Sequence, residues 1–253
     1  MRRLAAALLL AASGAFAQGT TVRMGTEGAH PPYDFTKDAE APDGFEIELG
    51  NELCARAGLA CEWVANDWDS LIPNLTSGSY DTIMAGMSIT PEREEVIAFA
   101  QDYVPPTPSS SIALSPDVDV GAAVVAAQTG TIQANAVAAS GATLLEHATQ
   151  DETIAAVRAG EADAAFADTD FLRPIVEASG GELTFVGEPV PLGDGIGMGL
   201  RQSDTALREA FDAQIAAMKA DGSLNAMLTK WFGDDAVLYP AEGAAPARGG
   251  ATD

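Results

Sequence analysis

Residues 81–93 read Asp-Thr-Ile-Met-Ala-Gly-Met-Ser-Ile-Thr-Pro-Glu-Arg and form a strand-to-helix junction. The apolar run at 82–84 is typical of a short strand that a sheet buries on both faces. Pro91 suits the first turn of a helix, with Thr90 as its N-cap. Because strands alternate with helices before and after this junction, the sequence predicts an α/β fold with parallel sheets.

The loop inside this junction has the composition of a ligand site. Ala85 and Gly86 carry almost no side chain, so a ligand could approach the backbone closely. Ser88 offers a hydroxyl, and Arg93 lies one turn into the helix. A helix N-terminus beside an arginine suits a carboxylate. An ordinary strand, loop and helix with a surface arginine fits the same residues.

The net charge of the chain limits the kinds of partner that it can bind. The 253 residues carry a formal net charge of −24. Such a surface repels nucleic acid and anionic lipid head groups, so we expect neither as a partner. It suits a cationic or zwitterionic small ligand, although many soluble proteins are acidic for solubility alone.

The N-terminus has the pattern of a secretory signal peptide. Residues 2–3 are basic, residues 4–12 form an apolar run too short to span a bilayer, and residues 15–17 form a small-x-small cleavage site. We therefore predict that residues 1–17 are a signal peptide cleaved near Ala17, rather than a poorly ordered helix. No cysteine stands directly after the cleavage site and no later run is long enough to cross a membrane, so we expect a soluble periplasmic protein without membrane insertion.

The chain has two cysteines, Cys54 and Cys61, and two histidines, His30 and His147. An exported protein permits a disulfide, which here would close a small loop between the end of a helix and the next strand. Neither histidine is near the cysteines in sequence, which argues against a metal site. We expect no metal and no cofactor.

An internal repeat predicts two lobes. Residues 75–86 and 157–168 each contain a helix end, a glycine cap, an acid and a buried strand, so Gly86 and Asp168 occupy equivalent strand ends. Open α/β sheets bind ligands outside the carboxyl ends of their strands. Arg93 would then take a carboxylate and Asp168 an ammonium, which together recognise a free amino acid. For Asp168 alone, a role as a helix N-cap is the alternative.

Segments rich in proline, serine and glycine suggest where the chain crosses between the lobes, and the C-terminal segment is rich in alanine, glycine and proline. The predicted boundaries are a signal peptide at 1–17, lobe 1 at 20–106 with 195–236, lobe 2 at 107–194, crossings at 104–111 and 188–195, and a disordered tail at 237–253.

The stretch at 84–93 resembles the signature of periplasmic solute-binding proteins of ABC importers, in the polar amino acid branch. The resemblance extends over about residues 21–232 and includes the motifs at 25–33, 44–49 and 164–168. The lysine/arginine/ornithine- and histidine-binding proteins are the most similar members that we can place, and they also carry the cysteine pair. The resemblance implies a type II periplasmic-binding-protein-like fold, with two α/β lobes joined by two hinge crossings.

The resemblance also implies roles for individual residues. Arg93 corresponds to the arginine that pairs bidentately with the ligand α-carboxylate, and Asp168 to the acid that binds the α-ammonium. Ser88 corresponds to a hydroxyl near the α-amino group, and Thr131 to a carboxylate contact through its backbone N–H. Trp68 corresponds to a residue that packs on the ligand side chain, although a core tryptophan is the alternative.

The site also departs from its relatives. Glu27 replaces the usual aspartate that binds the cationic end of the ligand, and His30 replaces an aromatic clamp. Ala85 and Gly86 replace two hydroxyl residues and resemble the glutamine-binding branch, and Ile132 replaces a threonine. The ligand is therefore expected to be a polar, cationic L-amino acid, with glutamine or an opine as alternatives.

Two further functions remain open at this point. The same fold hosts periplasmic dehydratases, in which Glu27 or Asp168 would act as an acid or base, but the sequence has no nucleophile motif and we predict no enzyme activity. A soluble partner of a membrane sensor is the other alternative. Otherwise the expected partners are the amino acid and the membrane permease of an ABC importer, and the protein is expected to be a monomer.

Overall fold

The computed structural model describes residues 21–37 and 41–240. The helices are α1 (Phe45–Ala57), α2 (Leu71–Ser77), α3 (Pro91–Glu94), α4 (Ile132–Ser140), α5 (Gln150–Ala159), α6 (Thr169–Ala178), α7 (Thr205–Asp221) and α8 (Ser223–Phe232), with a 3₁₀ turn at Trp68–Ser70. The strands are β1 (Val22–Thr26), β2 (Ala29–His30), β3 (Asp34–Lys37), β4 (Ala41–Asp43), β5 (Cys61–Ala65), β6 (Thr82–Ile83), β7 (Ala98–Val104), β8 (Pro108–Ala113), β9 (Val124–Gln128), β10 (Thr143–His147), β11 (Ala164–Asp168), β12 (Thr184–Pro191) and β13 (Ile196–Leu200).

The strands form two five-stranded sheets, one in each lobe, and a small three-stranded sheet beside the first. The first sheet has the order β5-β1-β6-β13-β7, and the second has the order β10-β9-β11-β8-β12. The chain passes between the lobes twice, from β7 to β8 and from β12 to β13. This is the predicted two-lobed α/β architecture. The predicted lobe boundaries at 106/107 and 194/195 fall inside these connections and remain predictions.

Both sheets are mixed, so the prediction of parallel sheets was wrong. Strand β13 pairs antiparallel with β6 and β7, and β8 pairs antiparallel with β11 and β12. Each of these strands follows a direct crossing from the other lobe, so it enters its sheet from the cleft end and runs opposite to its neighbours. The predicted crossings at 104–111 and 188–195 contain these two connections, together with residues 108–111 of β8 and 188–191 of β12.

The first lobe is stabilised by a large apolar core and a disulfide. Helix α1 fully buries Phe45, Leu49 and Leu53, and it packs against α7 and α8. The predicted disulfide is confirmed, because Cys54 at the end of α1 is bonded to Cys61 at the start of β5, with a Cα–Cα distance of 6.3 Å.

Two predictions lie wholly or partly outside the described residues. The predicted signal peptide at 1–17 is outside them, as are residues 241–253 of the predicted tail. Within the remaining part of that tail, the Tyr239 backbone is hydrogen bonded to Asn225 and its hydroxyl to Asp102. No helix within residues 21–37 and 41–240 is long and apolar enough to cross a membrane.

Candidate ligand-binding site

A narrow cavity lies between the lobes, at the carboxyl ends of β6 in the first sheet and of β9 and β11 in the second. Its free volume is about 10 Å³, and eight of its ten lining residues are among the ten predicted from the sequence. The first lobe contributes His30, Trp68, Gly86, Ser88 and Arg93, and the second contributes Thr131, Ile132, Gln133, Gln150 and Asp168.

The two remaining predicted residues do not line this cavity. Ala85 is fully buried and packs in the apolar cluster around Leu71 and Ile83. Glu27 lines an adjoining pocket of about 290 Å³, which shares Trp68 with the cavity.

Arg93 is held at the floor of the cavity by the strand-to-helix junction. The Thr90 hydroxyl accepts a hydrogen bond from the Arg93 backbone N–H at 3.3 Å, and Pro91 occupies the first helical position, as predicted. The guanidinium donates to the carbonyl of Ser88 at 2.8 Å and lies 5.4 Å from the centre of the Trp68 ring. Burial lowers the pKa of Arg93 to about 10, so the group stays charged at neutral pH. No carboxylate forms an ion pair with it among the described residues.

Asp168 faces the same cavity from the end of β11. It occupies the N-cap position of α6 but its side chain makes no capping hydrogen bond; instead Oδ1 accepts from Gln133 Nε2 at 2.8 Å. Burial, followed by the charge of Asp170, raises the pKa of Asp168 to about 7, and Arg93 opposes the rise. The N-cap alternative therefore accounts for the backbone position of Asp168 but not for its side chain.

His30 closes the first-lobe wall above Asp168. Its side chain is 2% exposed, and its ring centre lies 4.8 Å from that of Tyr33 and 5.5 Å from that of Phe171. Burial lowers the pKa of His30 to about 3, so the ring is neutral. Its Nε2 lies 3.7 Å from Asp168 Oδ2 and has no hydrogen-bond partner among the described residues.

Thr131 is the N-cap of α4. Its hydroxyl accepts from Ala134 N at 3.1 Å and donates to the Gln128 carbonyl at 2.7 Å, and its backbone N–H contacts the same carbonyl at 3.3 Å. The first-turn N–H groups of α4 have no partner within the helix, and they carry the positive end of its dipole. Together with Arg93, this end of the cavity is electropositive.

Hydrogen-bond acceptors lie where the cavity adjoins the pocket that contains Glu27. Gln128 Nε2 donates across the cleft to Glu27 Oε1 at 2.6 Å and to the Ala148 carbonyl at 3.0 Å. Glu27 Oε2, Gln128 Oε1 and Gln150 Oε1 are buried and have no donor among the described residues. Burial, followed by the charge of Asp34, raises the pKa of Glu27 to about 7. Because these acceptors have no donors among the described residues, they are complementary to a ligand group that carries several N–H donors.

Comparisons with known proteins identify the family. The model of the bacterial extracellular solute-binding proteins, family 3, matches residues 22–234. The chain belongs to this family. The lysine/arginine/ornithine-binding periplasmic protein of Escherichia coli K12 is 35% identical over 89% of this chain and 92% of its own length. The histidine-binding periplasmic protein of Salmonella typhimurium LT2 is 32% identical over 93% of this chain and 98% of its own length.

A solved structure agrees with this assignment. The periplasmic His/Glu/Gln/Arg/opine family-binding protein from Silicibacter pomeroyi, determined in complex with lysine, is 67% identical in sequence. It superposes with a TM-score of 0.85 and covers 86% of this chain and 100% of that one. The family 3 assignment and this superposition confirm the predicted type II periplasmic-binding-protein fold.

Three glutamines in the cleft between the lobes were not predicted from the sequence. Gln133 lies in the first turn of α4 and Gln150 is the first residue of α5, and both line the cavity. Gln128 ends β9 and reaches Glu27 in the other lobe. The signal for them was positional, since each lies at a strand end or helix start in the second lobe, where a ligand meets open backbone N–H groups.

Proposed function

We propose that this protein is the periplasmic binding component of an ABC importer and that it binds a cationic L-amino acid by closure of its two lobes. The observation that carries the proposal is the polarity of the cavity. Arg93 and the N-terminus of α4 form a positive end, Asp168 lies opposite, and acceptors that have no donor among the described residues lie toward the adjoining Glu27 pocket. A free amino acid with a cationic side chain has the complementary arrangement of groups.

The α-carboxylate would lie between Arg93 and the first turn of α4. A guanidinium binds a carboxylate through two parallel N–H donors, a geometry that lysine cannot reproduce. The α-ammonium would lie between Asp168 and the neutral His30 ring, which in the tautomer protonated at Nδ1 offers Nε2 as a second acceptor. Because the ammonium replaces a proton on Asp168, binding keeps this buried carboxylate ionised.

The side-chain end would meet Glu27 with the oxygens of Gln128 and Gln150. One carboxylate and two amide oxygens offer a full set of acceptors for an ammonium or a guanidinium. The relatives named for lysine, arginine, ornithine and histidine support this class of ligand, and so does the lysine in the Silicibacter pomeroyi complex.

Closure would couple the ligand to transport. Contacts already join the lobes at the cleft, including Glu27 with Gln128 and the Tyr33 hydroxyl with Asp170 at 3.3 Å. We propose that the closed surface is what an ABC permease recognises, that the protein acts as a monomer, and that a signal peptide cleaved near Ala17 directs it to the periplasm. On this proposal the site binds its ligand without turnover.

Isothermal titration calorimetry with lysine, arginine, ornithine, histidine and glutamine tests the proposal. We expect binding of at least one cationic amino acid, loss of binding in Arg93→Ala, and unchanged binding in Arg158→Ala, which removes an exposed arginine paired with Glu182. Binding of glutamine alone would contradict the cationic ligand and keep the receptor. Consumption of prephenate or arogenate by the protein would instead assign it as a lyase.

A further inference from the structure

Two buried acids lie directly behind the first-lobe wall of the cleft, and neither belongs to the proposed ligand contacts. Asp34 on β3 and Glu46 in the first turn of α1 are both inaccessible to solvent. Their carboxyl groups lie within hydrogen-bonding reach of each other, and no N–H or O–H group among the described residues donates to Asp34 Oδ2. Two ionised carboxylates have no hydrogen to share, so this contact requires one proton.

The surroundings place that proton on Glu46. Burial raises the pKa of Asp34 to about 6, but the backbone N–H groups of residues 28–30 oppose the rise, and that of Gly28 donates to Asp34 Oδ1 at 2.9 Å. Burial raises the pKa of Glu46 well above its usual range, and the charge of Asp34 raises it further. Glu46 therefore donates to Asp34 Oδ2, the oxygen that otherwise lacks a donor.

The charged and polar groups that face the pair come from five places. They are Thr26 on β1, Glu27 in the loop that follows, Tyr33 before β3, Gly86 after β6 and Tyr103 on β7. Neither carboxyl forms an ion pair with a lysine or arginine among these groups. The pair is therefore stabilised by backbone and hydroxyl donors and by its own proton.

The pair fixes both first-lobe segments of the ligand site. Asp34 Oδ1 accepts from the Gly28 N–H, within the segment 27–30 that carries Glu27 and His30. Glu46 Oε2 accepts from the Gly86 N–H at 2.7 Å and so holds the segment 84–88. Glu46 Oε1 accepts from the hydroxyl of Tyr103, one residue before the end of β7 and the crossing to the second lobe.

We propose that the Asp34–Glu46 pair, joined by one shared proton, is the positioning element that holds residues 27–30 and 84–88 in ligand-binding geometry. The proposal rests on the proposed function in that its consequence is measured as ligand affinity. Loss of the proton would leave two buried anions in contact, and their repulsion would separate the two segments. Ligand affinity would then fall on the alkaline side of the pH profile.

Substitutions at the pair separate this role from a general structural one. Glu46→Gln supplies an amide N–H that donates to Asp34 at every pH, and its one carbonyl oxygen still accepts from one of the two present donors, the Gly86 N–H or the Tyr103 hydroxyl. Asp34→Asn supplies a donor to Glu46 from the other side. Glu46→Ala leaves the Gly86 N–H and Asp34 Oδ2 without partners. Glu52→Gln, on the exposed side of the same helix, is the matched control.

The experiment combines arginine titrations from about pH 5 to about pH 9 with hydrogen exchange of residues 84–88 in the ligand-free protein. We expect Glu46→Ala to weaken arginine binding by about tenfold and to speed exchange in this segment, since an unpaired buried group costs about that factor. We expect wild type and Glu52→Gln to lose affinity on the alkaline side, and Glu46→Gln and Asp34→Asn to lose less.

The two readouts distinguish the proposals. If wild type binds no amino acid, the proposed function fails, while exchange in residues 84–88 still tests the pair. Unchanged exchange in Glu46→Ala, or an alkaline loss in Glu46→Gln equal to that of wild type, would overturn the positioning role. Should Glu46→Ala fail to fold, the pH profiles of Glu46→Gln and Asp34→Asn decide.

Discussion

Glu27 Oε1 accepts a hydrogen bond from Gln128 Nε2 at 2.6 Å, across the cleft between the two lobes. The contact joins a residue after β1 to the last residue of β9, so it exists only when the lobes are closed. The other oxygens of both side chains are buried without donors among the described residues. Closure therefore assembles an acceptor site that neither lobe has alone.

Glu27→Gln should change the ligand preference of this site. The variant keeps the size of the side chain and removes its charge, so a ligand cation would lose the Glu27 carboxylate as a partner. Truncating a buried charge pair typically costs about 2–5 kcal/mol, and we expect lysine or arginine affinity to fall accordingly while glutamine binding is retained or gained. Calorimetry of wild type, Glu27→Gln and the exposed control Glu62→Gln measures this. Equal loss in the control would contradict a local role for Glu27.

The site should also respond to pH in opposite ways with and without ligand. Burial raises the pKa of both Glu27 and Asp168 to about 7, whereas the same groups have a pKa near 4 in an unfolded chain. Between these values the native state binds more protons than the unfolded state. The free energy of unfolding of the ligand-free protein should therefore fall as pH rises from about 4 to about 7.

A cationic ligand reverses this trend because it pairs with the ionised acids. Affinity for arginine should therefore rise as pH increases through about 7, before any loss on the alkaline side. Thermal melts with and without arginine across this range measure both effects, with roughly 2–4 °C in Tm for each kcal/mol. Asp168→Asn should flatten the rise, and an affinity independent of pH in wild type would show that these acids do not contact the ligand.

Local signals in the sequence were sufficient for much of this fold and site. The junction at 81–93 was predicted down to Thr90 as the N-cap of α3, because caps and turns depend on neighbouring residues. The inserted strands β8 and β13 were not predicted as such, since an antiparallel strand arriving from the other lobe has no local signature. Gln128 was missed for a related reason, because its partner Glu27 lies 101 positions away and meets it through closure.

Gly86 has a left-handed backbone conformation and lies against the His30 ring, whereas Gly58 shares the conformation without a close neighbour and so serves as a matched control. The φ of Gly86 is +63°, and a Cβ there would lie 2.5 Å from His30 Nδ1. Gly58 has a φ of +67° but open space around the Cβ position. Gly58→Ala should cost about 1–2 kcal/mol for the left-handed conformation alone. Gly86→Ala should cost more, and it should weaken ligand binding because the His30 ring must move. Urea unfolding and calorimetry measure the two effects, and equal costs in both variants would mean that the His30 contact relaxes freely.

The disulfide should support stability without affecting the site. Cys61 pairs with Val22 at the start of the parallel strands β5 and β1, whereas the cleft lies beyond their ends at Ala65 and Thr26. The bridge spans a sequence separation of seven residues, and closing so short a loop contributes about 2–3 kcal/mol on the chain-entropy model. The double variant Cys54→Ala, Cys61→Ala should lose about this much free energy of unfolding in urea. Its affinity for arginine should be unchanged at a temperature where it remains folded. A weakened affinity there would mean that α1, which carries Glu46 in its first turn, transmits the loss of the bridge to the ligand site.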